Sequence, residues 1–262
     1  MTSKSPVPNE SSSRACGLCL SIAPLVDSHI FPRWMGKEIR DDGPLLSIPT
    51  HNKSTPKFVH RHGEYDQIVC EQCERSFGHV DDYFADFSRA RDSGKLVSKG
   101  EARAYVYEGW DQASIQRFFL TCLYRSHLSS RKGYGDVELG SHADRLKLAL
   151  IANNKALVPN FEVMLLRETH PLSCAITFPV RMKIDGINLY RMGVPGFGAI
   201  VRVDQQPAPR NISAFSLGAW PEIWALEIYQ VHPKLLAAMA DAEVLHGDRI
   251  SRMIAPRSRR TT

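Results

Sequence analysis

Cys16-Gly17-Leu18-Cys19, then Ser28-His29-Ile30-Phe31-Pro32, then Cys70-Glu71-Gln72-Cys73: these runs decide how the chain reads. A C-x-x-C turn aims two sulfurs at one point, and two such turns supply the four ligands of a closed tetrahedral Zn²⁺ site. Cys16, Cys19, Cys70 and Cys73 are therefore the predicted ligands of a structural zinc. The alternative for a C-x-x-C is a thioredoxin-like redox pair, which needs only one pair at a strand–helix junction. The second pair here opens a run of helical periodicity, so half of the site sits at a helix N-terminus.

Working outward, Phe77, Val80, Phe84 and Phe87 share one face of a helix predicted over 70–91, ended by Gly94. Asp81, Asp82 and Asp86 read as its solvated margin. Ser98-Lys99-Gly100-Glu101 has capping-box spacing and predicts a short helix to Tyr107. Ile115, Phe118, Phe119, Cys122 and Leu123 form the core stripe of a helix over 111–128. Ser141 is placed to cap another, carrying Leu146, Ala149 and Leu150.

After Pro159 the period changes to two. Strands are predicted over 161–167, 173–184, 187–192 and 197–204, with Asp185-Gly186 as a hairpin turn. The run Gly193 to Gly198 lacks the Lys-Ser/Thr of a phosphate loop and reads as a Pro-Gly turn. A last strand lies within 220–229, and Pro233 opens a helix to Leu245. Cys122 and Cys174 read as core residues.

The expected class is α+β. Residues 1–14 are expected to be disordered, 15–95 to form a zinc-knuckle module, and 96–157 a helical segment. Residues 158–250 are expected to be an antiparallel sheet with a C-terminal helix, followed by a basic tail, 251–262. Of 262 residues, 43% are hydrophobic and 23% charged, an ordinary globular composition. The formal charge of +5 suits a nucleic-acid partner without requiring one. The opening residues are polar and no long apolar run exists, so no membrane association and a cytoplasmic location are expected. Lys53, Lys57, His60, Arg61 and His62 form a basic patch that reads either as a solvated loop or as a phosphate-contacting one.

His29 carries the chemical question. A histidine between two zinc knuckles suits a general base, because imidazole titrates near working pH. A structural histidine, packing on the knuckle or under Trp34, competes with that reading. The order C-x-x-C, Ser-His-Ile-x-Pro, C-x-x-C opening a helix resembles the cysteine-bearing HNH endonucleases, over residues 16 to about 87. Residues 118–126 and 137–146 resemble uncharacterised bacterial proteins that share the same opening.

The HNH resemblance implies a treble-clef (ββα-metal) core and hydrolysis of nucleic-acid phosphodiesters, DNA ahead of RNA. It makes His29 the general base and calls for a catalytic Mg²⁺ or Mn²⁺. The chain departs from the family pattern around that ion. Ser28 stands where a metal-binding residue is usual, which leaves Asp27, Glu74 and His79 as candidate ligands. Tyr65 and Asp66 stand where the base-orienting Asn is usual. These departures keep open an alternative, a catalytically inactive zinc module that binds nucleic acid or protein, and a third reading, a purely structural zinc protein.

Overall fold

The structure, a computed structural model, describes residues 14–39, 45–47, 57–59, 65–131, 137–152, 155–169 and 176–228. β1 (Arg14–Ala15) and β2 (Ile22–Ala23) pair around the first C-x-x-C. β3 (Leu25–His29) leads to α1 (Arg33–Ile39) and to the paired β4 (Leu45–Ser47) and β5 (Lys57–Val59). β6 (Tyr65–Cys70) returns antiparallel to β3, and α2 (Glu71–Arg89) leaves directly from its end. Two strands and a helix thus close on the cysteines.

β7 (Lys95–Lys99) and β8 (Ala102–Tyr107) follow, then α3 (Gln112–Leu128) and α4 (His142–Ile151). β9 (Val163–Glu168), β10 (Thr177–Ile184), β11 (Ile187–Val194) and β12 (Phe197–Arg202) come next. The short α5 (Arg210–Ser213) precedes β13 (Ile223–Ile228). One seven-stranded sheet has the order β10-β11-β12-β9-β13-β8-β7. Its pairings are antiparallel except β13 with β9. The mixed α+β class holds, and no helix among the described residues is long and apolar enough to cross a membrane.

Turn chemistry explains the hairpins. Asp185 and Gly186 have φ of 52° and 81°, the positive pair that a type I′ turn demands. Val194 pairs with Phe197 across Pro195-Gly196, with Gly196 at φ 78°, so this run is a turn between strands.

Several expectations need correction. Residues 98–107 are a hairpin, not a helix: Gly100 sits at φ 60° in the turn, and β7 pairs antiparallel with β8 from Lys99 opposite Ala102 to Lys95 opposite Val106. Pairing with β13 outweighs the local capping signal, so the expected helical segment 96–157 begins as two strands of the large sheet. Ser141 makes no side-chain cap. The turn into α4 is made by backbone bonds from His142 N to Leu139 O and from Ala143 N to Gly140 O. Asp111 is a true cap, accepting from Ala113 N and Ser114 N at the start of α3.

α3 is buried on every face rather than along one stripe. Its polar Gln116 is satisfied by Val158 N and by the carbonyls of Val158 and Phe161. Phe118 stacks on Phe84 of α2 with centroids 3.9 Å apart, and Phe87 stacks on Phe197 of β12 at 4.9 Å. One hydrophobic cluster therefore runs from Cys16 to Ala225. The C-terminal helix, Cys174 and the basic tail lie outside the described residues.

Candidate metal centre and the strand edge around His29

The first C-x-x-C is a tight turn on the β1–β2 pair. Cys16 N donates to Ser21 O, and Leu20 N to Cys16 O, each at 2.9 Å, with Leu20 at φ 64°. Cys70 ends β6 and Cys73 lies in the first turn of α2. The four sulfurs lie within 4.8 Å of one another, as the sequence predicts. Cys19 and Cys70 Sγ are 3.8 Å apart, and the Cys70 amide donates to Cys16 Sγ at 3.3 Å. A Zn–S bond of about 2.3 Å sets a tetrahedral edge of about 3.8 Å, so the donor set fits such an ion.

The thiols are unequal. Cys19, at the exposed rim, is lowered to about 6, first by a hydrogen bond to the Ser21 side chain. Burial pushes Cys73 up. Several buried thiolates this close repel one another unless a cation lies between them, so the cluster suits a metal ion. Cys122 is different: burial pushes it up to about 12, the signature of an inert core thiol.

α3 braces the knuckle. Tyr124 OH donates to Gly17 O at 2.8 Å. Gly17 N donates to Ile68 O at 2.9 Å, and a Cβ on Gly17 would lie 2.8 Å from Leu128 Cδ1 and 2.9 Å from Ile68 O. Only glycine allows that approach.

His29 ends β3, opposite Tyr65, and Ser28 lies opposite Asp66. Successive side chains on a strand face opposite ways. Ser28 is fully buried and its hydroxyl donates to the Glu74 carboxylate in the first turn of α2. His29 is half-buried, its ring edge-on to Tyr65 with centroids 6.3 Å apart. Its carbonyl accepts from Arg125 Nη1 at 3.0 Å. Trp34 packs on Phe84 and Phe118.

Asp27, Glu74 and His79 are not brought together. Asp27 is exposed on the strand face away from Ser28, Glu74 is held by Ser28, and His79 is exposed further along α2. Among the described residues, the four cysteines are the one group close enough to share an ion. Of the basic patch, Lys57 opens β5, while Lys53, His60, Arg61 and His62 lie outside the described residues.

Three features escaped the sequence. Asp81 is not on a solvated margin: it is buried and takes a bidentate ion pair from Arg125, at 2.7 and 2.9 Å. Burial alone would lower Arg125, but Asp81 more than offsets it and keeps the guanidinium charged. Asp66 accepts from Ser129 Oγ, Ser130 N and Ser130 Oγ, at 3.0 to 3.2 Å, and so ties the end of α3 to β6. Arg131, just beyond, lies over the Tyr65 ring at 5.3 Å. Asp81 lies one helical turn past Phe77, a spacing that placed it near the core; nothing in the sequence pointed to Arg131.

Comparison with family models, with curated proteins and with solved structures returns no match.

Proposed function

We propose that Cys16, Cys19, Cys70 and Cys73 hold one structural Zn²⁺, and that the unit it closes is an HNH-like, treble-clef nucleic-acid hydrolase element with His29 as general base. The observation that carries this reading is the order strand, strand, helix around the cysteines, with His29 at the end of β3 on the face away from the packed Ser28. The zinc supplies rigidity there. Residues of the chain do the rest. Arg125 holds the His29 backbone in place through its carbonyl, and the imidazole takes a proton from the attacking water. The resemblance calls for Mg²⁺ or Mn²⁺ at the phosphate, but Asp27, Glu74 and His79 do not converge to hold such an ion, so no step is assigned to it. DNA is the first expected substrate.

A second reading rests on one specific contact. The Ser28 hydroxyl donates to the Glu74 carboxylate, one of the three groups expected to hold a catalytic ion. That favours a zinc-stabilised binding module without hydrolytic activity. The test is incubation of purified protein with plasmid DNA or RNA and Mg²⁺ or Mn²⁺, beside a His29→Ala variant. The hydrolase reading expects cutting by the wild type and a loss of about 10²-fold or more in the variant. No cutting, or cutting equal in both, overturns His29 as the general base; no cutting together with salt-dependent binding of nucleic acid supports the binding module.

A further inference from the structure

The end of the β3–β6 pair carries more than His29. Tyr65, directly opposite it, is 37% exposed, so its ring is both packed and reachable. The Arg131 guanidinium lies 5.3 Å from that ring's centroid, and His29 meets the same ring edge-on. Histidine, tyrosine and arginine therefore form one continuous strip, although Tyr65 lies 36 positions after His29 and Arg131 lies 66 positions after Tyr65.

The strip is held rather than incidental. α3 ends at Leu128, and the Ser129 amide bonds back to Arg125 O. Asp66, next to Tyr65, then grips Ser129 and Ser130 by three hydrogen bonds. The Arg131 amide bonds to Ser129 Oγ at 3.2 Å. Arg131 is exposed, and among the described residues it makes no ion pair. A guanidinium stacked on an aromatic face keeps its N–H fork at the rim, where a phosphate is taken bidentately.

We propose that Arg131 binds a backbone phosphate of the polynucleotide that lies against His29, with Tyr65 as its platform and Asp66 as the residue that positions it. This rests on the proposal that His29 faces a phosphodiester. It makes the end of α3, outside the zinc-knuckle module, part of the substrate surface.

Binding of a fluorescently labelled DNA oligonucleotide to the full zinc-loaded chain, followed by anisotropy at several salt concentrations, tests it. Arg131→Ala should weaken binding about tenfold and lower the slope of log affinity against log salt by about 1. Arg131→Lys should keep the slope but recover only part of the affinity. Tyr65→Phe should bind as wild type and Tyr65→Ala should weaken binding. Lys183→Ala, on an exposed stretch of β10, serves as the control and should change the slope least. Equal affinity and slope for wild type and Arg131→Ala would overturn the inference, provided both show the same thermal melt.

The two proposals fail separately. Arg131-dependent binding without any strand cutting sinks the hydrolase and keeps Arg131. His29-dependent cutting with KM and affinity untouched in Arg131→Ala sinks Arg131 and keeps the hydrolase. A wild-type chain with no salt-dependent affinity for the oligonucleotide removes both.

Discussion

At the scale of single residues, the Asp81–Arg125 pair has the largest consequences. Arg125 has no exposed side-chain surface, and among the described residues Asp81 is its one ion-pair partner, with the His29 carbonyl as a further acceptor. A buried charge that loses its partner cannot recover its hydration, so removing one member costs about 3–5 kcal/mol. Asp81→Asn should therefore destabilise the protein by that order in denaturant unfolding. Asp81→Leu with Arg125→Met should cost much less, because both charges leave together. If Asp81→Asn unfolds at the wild-type denaturant midpoint, the pair is not holding α2 to α3. The helical pattern exposed Phe77, Phe84 and Phe87 as core, and the structure buries all three. The same spacing puts Asp81 one turn past Phe77, yet an acid there reads as solvated, because periodicity is blind to a partner 44 positions away. The four cysteines were legible for the opposite reason. Their chemistry narrows them to few roles, and their spacing is local within each pair.

Among elements, the junction between β6 and the end of α3 is set by one carboxylate. Burial works to raise Asp66, but hydrogen bonds from Ser130 N, Ser129 and Gln67 outweigh it and hold Asp66 below the usual carboxylate range. A depressed acid contributes stability above its unfolded value, about 3.9, and loses it as pH falls through the folded value. Asp66→Ala should thus be less stable than wild type near neutral pH, and the difference should shrink in acid below about pH 3.9. Urea unfolding of both proteins along a pH series measures it. A gap that stays constant into acid would mean that Asp66 acts by packing alone. Elements with strong local signals were read well: α2, α3, the Asp185-Gly186 hairpin and the strands β9 to β12. The failure at 98–107 shows the limit. Ser98 and Glu101 satisfy a helix-start spacing, yet Gly100 is cheap in a turn, and hydrogen bonds to β13, more than 115 residues on, decide the outcome.

Across the whole molecule, the four-cysteine cluster is not an appendage. The hydrophobic cluster includes Cys16, Leu18, Cys70 and Cys73 together with strands β8, β9, β11, β12 and β13. Polar ties add to it, from Tyr124 to Gly17 and from Arg125 to His29. Linkage then sets the expectation. A metal bound only by the folded state stabilises everything that unfolds with it. Elemental analysis should find about one Zn²⁺ per chain. A Cys70→Ser/Cys73→Ser variant, or the wild type stripped with a chelator, should melt lower as one transition, taking the strands of the large sheet with it. The reason is α3: it touches the knuckle through Tyr124 and the sheet-side loop through Gln116, so loosening one face exposes the other. Hydrogen exchange in the zinc-free protein reads this directly. Amides of β9 and β12 that lose protection along with those of β6 support a shared core. Amides there that stay protected while β6 opens would show that the zinc holds only its own ββα unit, and that α3 tolerates the loss of its bracing contacts.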